Sequence, residues 1–247
     1  MGRMRVRVGS VSNACGNMLV LDFEGTKARA EQGSISAQYN LGVMFDHGMG
    51  VTEDPAEAAR WYRRAAEQGD AEAQSNLGVL YDAGRGVSQD FVEAVRWYRR
   101  AAEQGHARAQ HNLALMYENG LGVKQNDAEA AEWYRRAAER GVVEAQSNLG
   151  CLYAHGRGVP QDYAEALKWH RRAAEQGFAQ AQFNLAVMHA KGLGVPVDYI
   201  EAYTWFSLAA AQRYTAAVNV LYLFAQVMSP AQIAEARRRA AEMGGQR

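Results

Sequence analysis

The stretch Trp61-Tyr62-Arg63-Arg64-Ala65-Ala66-Glu67-Gln68-Gly69 decides the architecture, because it returns at a constant interval. Trp97, Trp133 and Trp169 open near-copies and Trp205 an altered one, each 36 residues after the last. A second string keeps the same step, from Ala37-Gln38-Tyr39-Asn40-Leu41-Gly42 through Ala73-Gln74-Ser75-Asn76-Leu77-Gly78 to Ala181-Gln182-Phe183-Asn184-Leu185-Ala186. A fixed period of about 20–50 residues marks a protein built of stacked repeats. No insertion disturbs the register, so the chain divides into five units: 33–68, 69–104, 105–140, 141–176 and 177–212.

Each unit is expected to hold two helices, A and B. Ala37, Leu41, Met44 and Phe45 fall on one face of a helix over about Ser36–Asp46. Gly48-Met49-Gly50-Val51 ends it, since glycine adopts the positive φ that terminates helices. Asp54-Pro55-Ala56-Glu57 opens helix B with an N-cap, a first-turn proline and a glutamate spaced for a capping box. Asp90, Asn126, Asp162 and Asp198 repeat the cap, and Gly69 closes the first B helix. A residue type repeated at every step is core in a solenoid. On that ground the Trp column, Ala65 and its counterparts, the column Leu41, Leu77, Leu113, Leu149, Leu185, and the aromatics Phe45, Tyr81, Tyr117, Tyr153 are expected inside. His189 replaces the aromatic in the fifth unit and is expected to be half-buried.

The flanks differ. Residues 1–17 are expected to be a poorly ordered leader: Arg3, Arg5 and Arg7 are followed too soon by acids for a secretory signal. Residues 18–32 look like a partial repeat, and 213–247 like a second partial repeat with a capping helix opened by Ser229-Pro230-Ala231-Gln232. Leu208 stands where other units have arginine, which predicts that this last helix covers the end.

Of 247 residues, 48% are apolar, and Lys plus Arg equal Asp plus Glu at 27 each, so no net charge draws the chain to nucleic acid or an anionic membrane. No apolar run approaches a membrane span. Cys15 and Cys151 form neither a disulfide framework nor a metal motif. His47 and His155 share a column three units apart, too far for one metal ion, and the glycine pairs lack the strand-to-helix context of a nucleotide loop. The expectation is no enzyme, no cofactor and no metal.

The pattern held by Ala73, Leu77, Gly78, Tyr81, Gly84, Gly86, Val87, Asp90, Ala94, Trp97, Ala101, Ala102 and Gly105 resembles the Sel1-like repeat, a relative of the tetratricopeptide repeat. The resemblance implies an all-α fold, a right-handed α/α superhelical solenoid of about five repeats with capping helices. It also implies a non-catalytic scaffold or adaptor, often bacterial, with a protein or peptide partner; a cytoplasmic monomer is the expectation. A cysteine-rich branch is secreted and includes penicillin-binding members. A periplasmic or secreted cell-envelope hydrolase or penicillin-binding protein is therefore the alternative, although the paired cysteines of that branch are missing.

Transferring the tetratricopeptide register onto Leu41-Gly42 points particular columns into a concave groove. They are Tyr39, Ser75, His111, Ser147, Phe183; Val43, Val79, Leu115, Cys151, Val187; and Asp46, Asp82, Glu118. These vary while core columns do not, giving a mixed apolar and acidic groove suited to an extended or helical peptide. Asn40, Asn76, Asn112, Asn148 and Asn184 are constant, although asparagine is a mediocre helix former. An amide matches the alternating donors and acceptors of a peptide backbone, and it can equally bond an adjacent helix and fix the register. Five units about 10 Å apart make a groove on the order of 50 Å. That accommodates roughly 15 extended residues at ~3.3 Å each.

Overall fold

The computed structural model describes residues 22–245, which form thirteen helices and no strand. The A helices are α2 (Ile35–His47), α4 (Ala71–Ala83), α6 (Ala107–Asn119), α8 (Val143–His155) and α10 (Ala179–Lys191). The B helices are α3 (Pro55–Glu67), α5 (Phe91–Glu103), α7 (Asp127–Glu139), α9 (Tyr163–Glu175) and α11 (Tyr199–Ala211). α1 (Phe23–Glu31) precedes them; α12 (Thr215–Val227) and α13 (Pro230–Gly245) follow. Each helix from α1 to α11 packs on the next in sequence, and α13 packs on α11, giving an all-α solenoid. The expected leader 1–17, with Cys15, lies outside the described residues, as does the start of the 18–32 partial repeat.

The local rules act as written in the sequence. Asp54 Oδ1 accepts from the amides of Ala56 and Glu57 at 3.0 and 3.1 Å, and Asp90, Asn126 and Asp162 repeat this cap. The glutamates placed for a reciprocal capping box reach forward instead. Glu57 pairs with Arg60 at 2.9 Å, and Glu165 and Glu201 accept from the indoles of Trp169 and Trp205 at 3.1 and 2.8 Å. The two loop glycines have separate tasks. Gly156 ends α8 in the left-handed region (φ 65°), whereas a β-carbon on Gly158 would stand 2.1 Å from the Asp127 carbonyl oxygen of the unit before.

The Trp column is buried in every unit, none more than 8% exposed, and the Leu41 and Ala65 columns are buried with it. The aromatic column is not. Phe45, Tyr81, Tyr117 and Tyr153 are half-buried, and the preceding residue in each unit, Met44, Leu80, Met116 or Leu152, fills the core. The half-exposed ring is there to receive an arginine. Arg63 donates to Tyr81 Oη, Arg99 to Tyr117 at 2.7 Å and Arg135 to Tyr153 at 2.8 Å, while Arg171 lies 3.4 Å from His189. The second arginine of each pair lies over its own tryptophan, with Arg64 and Arg136 each 4.5 Å from the ring centroid. So the first arginine of each pair ties its unit to the next.

The register is held by glutamines. Gln38, Gln74, Gln110, Gln146 and Gln182 are buried in the A helices, and each Nε2 donates to a carbonyl at the end of the preceding B helix at 3.0–3.2 Å. For the first of them that helix is α1, which thus serves as a truncated B helix, as its sequence suggested. Gln146 Oε1 in turn accepts from Gln176 at 2.8 Å. Gln146→Leu, which keeps the volume and deletes both bonds, should lower stability by about 2 kcal/mol at ~1 kcal/mol per hydrogen bond. Urea unfolding checks this, and a change below about 0.5 kcal/mol would remove the ladder from the register argument.

The C-terminal end departs from the period for a steric reason. Gly42, Gly78, Ala114, Gly150 and Ala186 are small because the B-helix ring of the same unit sits on them; a β-carbon on Gly42 would be 2.5 Å from the Tyr62 ring. The same position in α12 is Tyr222, which closes that seat and is 71% exposed. α13 therefore starts early, through a full capping box in which Ser229 N donates to Gln232 Oε1 (2.9 Å) and Gln232 N to Ser229 Oγ (3.3 Å). It packs on α11, burying Leu208 with Ala240 and Met243, as the exchange of arginine for leucine predicted. Thr204 Oγ1 to the Ala236 carbonyl (3.3 Å) and Arg239 to Glu201 (3.7 Å) fasten it.

Candidate binding face on the A helices

Two of the asparagines reach the A helix of the unit before. Asn148 Nδ2 lies 3.5 Å from His111 Nε2, and Asn184 Nδ2 lies 3.5 Å from Cys151 Sγ. Asn76 faces the hydroxyls of Tyr39 and Tyr62, and Asn112 faces Tyr98 and the His111 ring. All five asparagines, Asn40 included, are half-buried. Contacts of this kind bring members of the columns at 39, 40 and 43 together.

The other expected groove residues separate into three groups. Tyr39, His111 and Phe183 are half-buried rings, each leaning on a B-helix ring: Tyr39 on Tyr62 (6.0 Å), His111 on Tyr134 (5.7 Å), Phe183 on Phe206 (5.3 Å). Ser75 and Ser147 are buried, so these two do not line an open surface. Val43, Leu115, Cys151 and Val187 are half-buried and Val79 is exposed, forming an aliphatic strip. Burial pushes the Cys151 thiol up and the His111 imidazole down, so both stay neutral near pH 7.

The acidic column has a packing explanation. Asp46 accepts from Tyr62 Oη at 3.4 Å, Asp82 from Tyr98 at 3.4 Å and Glu118 from Tyr134 at 2.6 Å. In the next two units the B-helix ring is His170 or Phe206, without a hydroxyl, and the acid becomes Ala154 or Ala190. The column changes in step with the ring it serves. Two of the acids are also neutralised by the following loop: Arg85 reaches Asp46 at 3.0 Å, and Arg157 reaches Glu118 at 3.1 Å. Leu121 replaces the arginine opposite Asp82, and no ion pair reaches Asp82 among the described residues; burial raises its pKa. The face is thus mostly aromatic, aliphatic and amide, with one unbalanced carboxylate, and less acidic than the sequence suggested.

No cluster of three or more His, Cys, Asp or Glu able to hold a metal occurs among the described residues, and Cys151 is a free thiol. No helix among them is long and apolar enough to cross a membrane. Sequence reasoning missed the glutamine ladder and the arginine–tyrosine links, although the invariant Ala-Gln pair at the head of every A helix carried the signal for the first.

Consecutive matches to the Sel1 repeat model cover 35–70, 71–106, 107–142, 143–178 and 179–214. The chain belongs to the Sel1 repeat family. The family windows begin two residues later than the units counted from the sequence, a difference of phase. Among solved structures, the Sel1 repeat chain is 38% identical to c5321, described as a protective antigen of uropathogenic Escherichia coli strains displaying an SLR fold (TM-score 0.80, 90% of this chain). It spans about half of that protein's length, 48%. A Sel1 repeat protein from Oxalobacter formigenes is 39% identical, with TM-score 0.73 over 80% of this chain and 85% of that one. A putative Sel1 repeat protein from Klebsiella pneumoniae subsp. pneumoniae shares the fold at 22% identity and TM-score 0.51, over 81% and 98% of the two chains. No functionally curated protein matches. Sel1-repeat proteins are generally protein-interaction scaffolds and typically non-catalytic.

Proposed function

We propose that this chain is a non-catalytic scaffold that holds a peptide or protein segment along the A-helix face. The supporting observation is a contrast within the molecule. The glutamine bonds and arginine links between units are repeated with little change, while the open rings of the column at 39 run Tyr, His, Phe and the column at 43 runs Val, Val, Leu, Cys, Val. Half-exposed rings and aliphatic groups provide the apolar contact of a recognition surface. The open edges of the asparagine amides supply hydrogen bonds to a main chain. Asp82, without a cationic neighbour of its own, favours a basic side chain near the second unit.

Peptides selected from a display library on the purified protein test this. Val79 is exposed, so Val79→Arg should leave the melting temperature within a degree or two yet weaken selected peptides at least ten-fold. The double change Asn112→Ala plus Asn148→Ala then divides the roles of the amides: lost peptide with an unchanged melt makes them ligands, and a large drop in the melt makes them register pins. Full binding by both variants would overturn the assignment of the face.

A further inference from the structure

Four of the five units close the same polar joint, and the third does not. Gln68, Gln104, Gln176 and Gln212 set a carboxamide Nε2 on the Oε1 of Gln38, Gln74, Gln146 and Gln182 at 2.7, 2.7, 2.8 and 2.9 Å. Three of them also donate to the carbonyl four residues back: Gln68 and Gln104 at 3.4 Å and Gln176 at 3.2 Å. In the third unit Arg140 occupies this place. Its longer side chain runs past the joint and lies over Gly105, where a β-carbon would stand 3.0 Å from Nη2. Gln110, only 3% exposed, keeps its Nε2 bond to the Ala102 carbonyl at 3.1 Å, but its Oε1 is buried without a hydrogen-bond partner among the described residues. A cavity of about 360 Å³ lies beside this joint, lined by Gln110 together with Arg136, Arg140, Glu103 and Glu139.

We infer that this joint is a recognition pocket for a primary carboxamide, the end group of a glutamine or asparagine side chain. The chain itself shows the occupied form four times. In the third unit a bound amide N–H would donate to Gln110 Oε1. Its second N–H would point at the Arg136 main-chain carbonyl, as Gln176 does toward Arg172, and its oxygen would accept from the Arg140 guanidinium. A carboxylate offers Gln110 no donor and sets two acceptors against each other; an ammonium has nothing for Arg140. Only a group with donor and acceptor side by side satisfies both, and a buried acceptor left unmade carries the desolvation penalty of a lost bond. The lining residues share none with the A-helix face, so this pocket stands or falls apart from the proposed scaffold role.

The test is a titration of the ¹⁵N-labelled full chain with N-acetyl-L-glutamine methylamide, read at the Gln110 side-chain amide and the Arg140 Nε signals. Saturable shifts are expected, at least ten-fold weaker with the glutamate analogue. Arg140→Gln fills the joint from within, so it should abolish the shifts and melt no lower than the wild type. A capped Ala-Ala-Gln-Ala-Ala peptide separates the sources: ten-fold tighter binding than the single residue identifies a protein partner's side chain, and equal binding a free amide. Absence of saturation, equal response to the glutamate analogue, or unchanged shifts in Arg140→Gln would each reduce the pocket to a hydrated seam and overturn the inference.

Discussion

Trp133→Ala is expected to destabilise the protein by about 3–5 kcal/mol, the usual cost of emptying a large aromatic site. Trp133 is only 8% exposed, and its surroundings on α7 are Ala130, Ala131, Ala137 and Ala138, side chains too short to collapse into the space. The ring also carries the Arg136 guanidinium 4.5 Å above it, and that contact disappears with it. In a linear stack a unit is stabilised by its neighbours, so the loss should spread in both directions from the middle of the chain. Hydrogen exchange should therefore quicken in α6 and α9 as well as in α7. A melt within a degree or two of the wild type would show that the tryptophans are not the core the fold requires.

The second large effect is one of pH. His170 replaces the tyrosine of the B helices and is buried on Gly150, with burial lowering its pKa to about 4 and the nearby His155 adding to the shift. An unfolded histidine titrates near 6.5. Because the folded value is the lower one, protonation favours the unfolded chain: stability is whole above about pH 6.5 and falls as pH drops toward 4. The loss attributable to this group is about 3 kcal/mol by pH 4. His170→Tyr restores the side chain that Tyr98 already places on the equivalent Gly78, and it should remove that share of the acid sensitivity. Denaturant unfolding at pH 7 and pH 4 measures the difference. If both proteins lose equal stability on acidification, His170 is not the sensitive group.

The fold was legible because its determinants are periodic and chemically loud. A tryptophan every 36 residues, an Asp or Asn cap before each B helix and a Gly-x-Gly after each A helix leave little choice. Leu208 correctly announced a covering helix for the same reason: an apolar residue on a polar face must be met by something. What resisted reading was any polar group whose meaning depends on a partner some thirty residues away. Gln38 and Gln68 look like surface residues of two helices until their side chains are seen 2.7 Å apart. Tyr81 reads as core because it repeats, whereas its repetition serves an arginine. Ser75 and Ser147 were placed on the open face by their variability, yet a small residue among large ones is the one that gets covered. The acidic column could have been understood from the sequence, since the swap to Ala154 and Ala190 coincides with the loss of the tyrosine hydroxyl sixteen residues later.

That coincidence bears on how such a chain can be lengthened, shortened or rearranged. Contacts inside a unit are matched pairs, Asp46 with Tyr62 or Ala190 with Phe206, and a crossover in the A-to-B loop would separate them. Between units the glutamine Nε2 bonds and the arginine on the next aromatic ring are nearly constant, whereas the loop cation varies: Arg85 pairs with Asp46 and Arg157 with Glu118, but Leu121 makes no pair with Asp82. Cuts at the B-to-A turn, next to Gly69, Gly105, Gly141 or Gly177, therefore preserve both sets. The portable cassette is A-loop-B, and new faces can be assembled by dealing whole cassettes, each carrying its own glutamine joint or the Arg140 variant of it, with only the loop cation to be matched to the acid of the unit before.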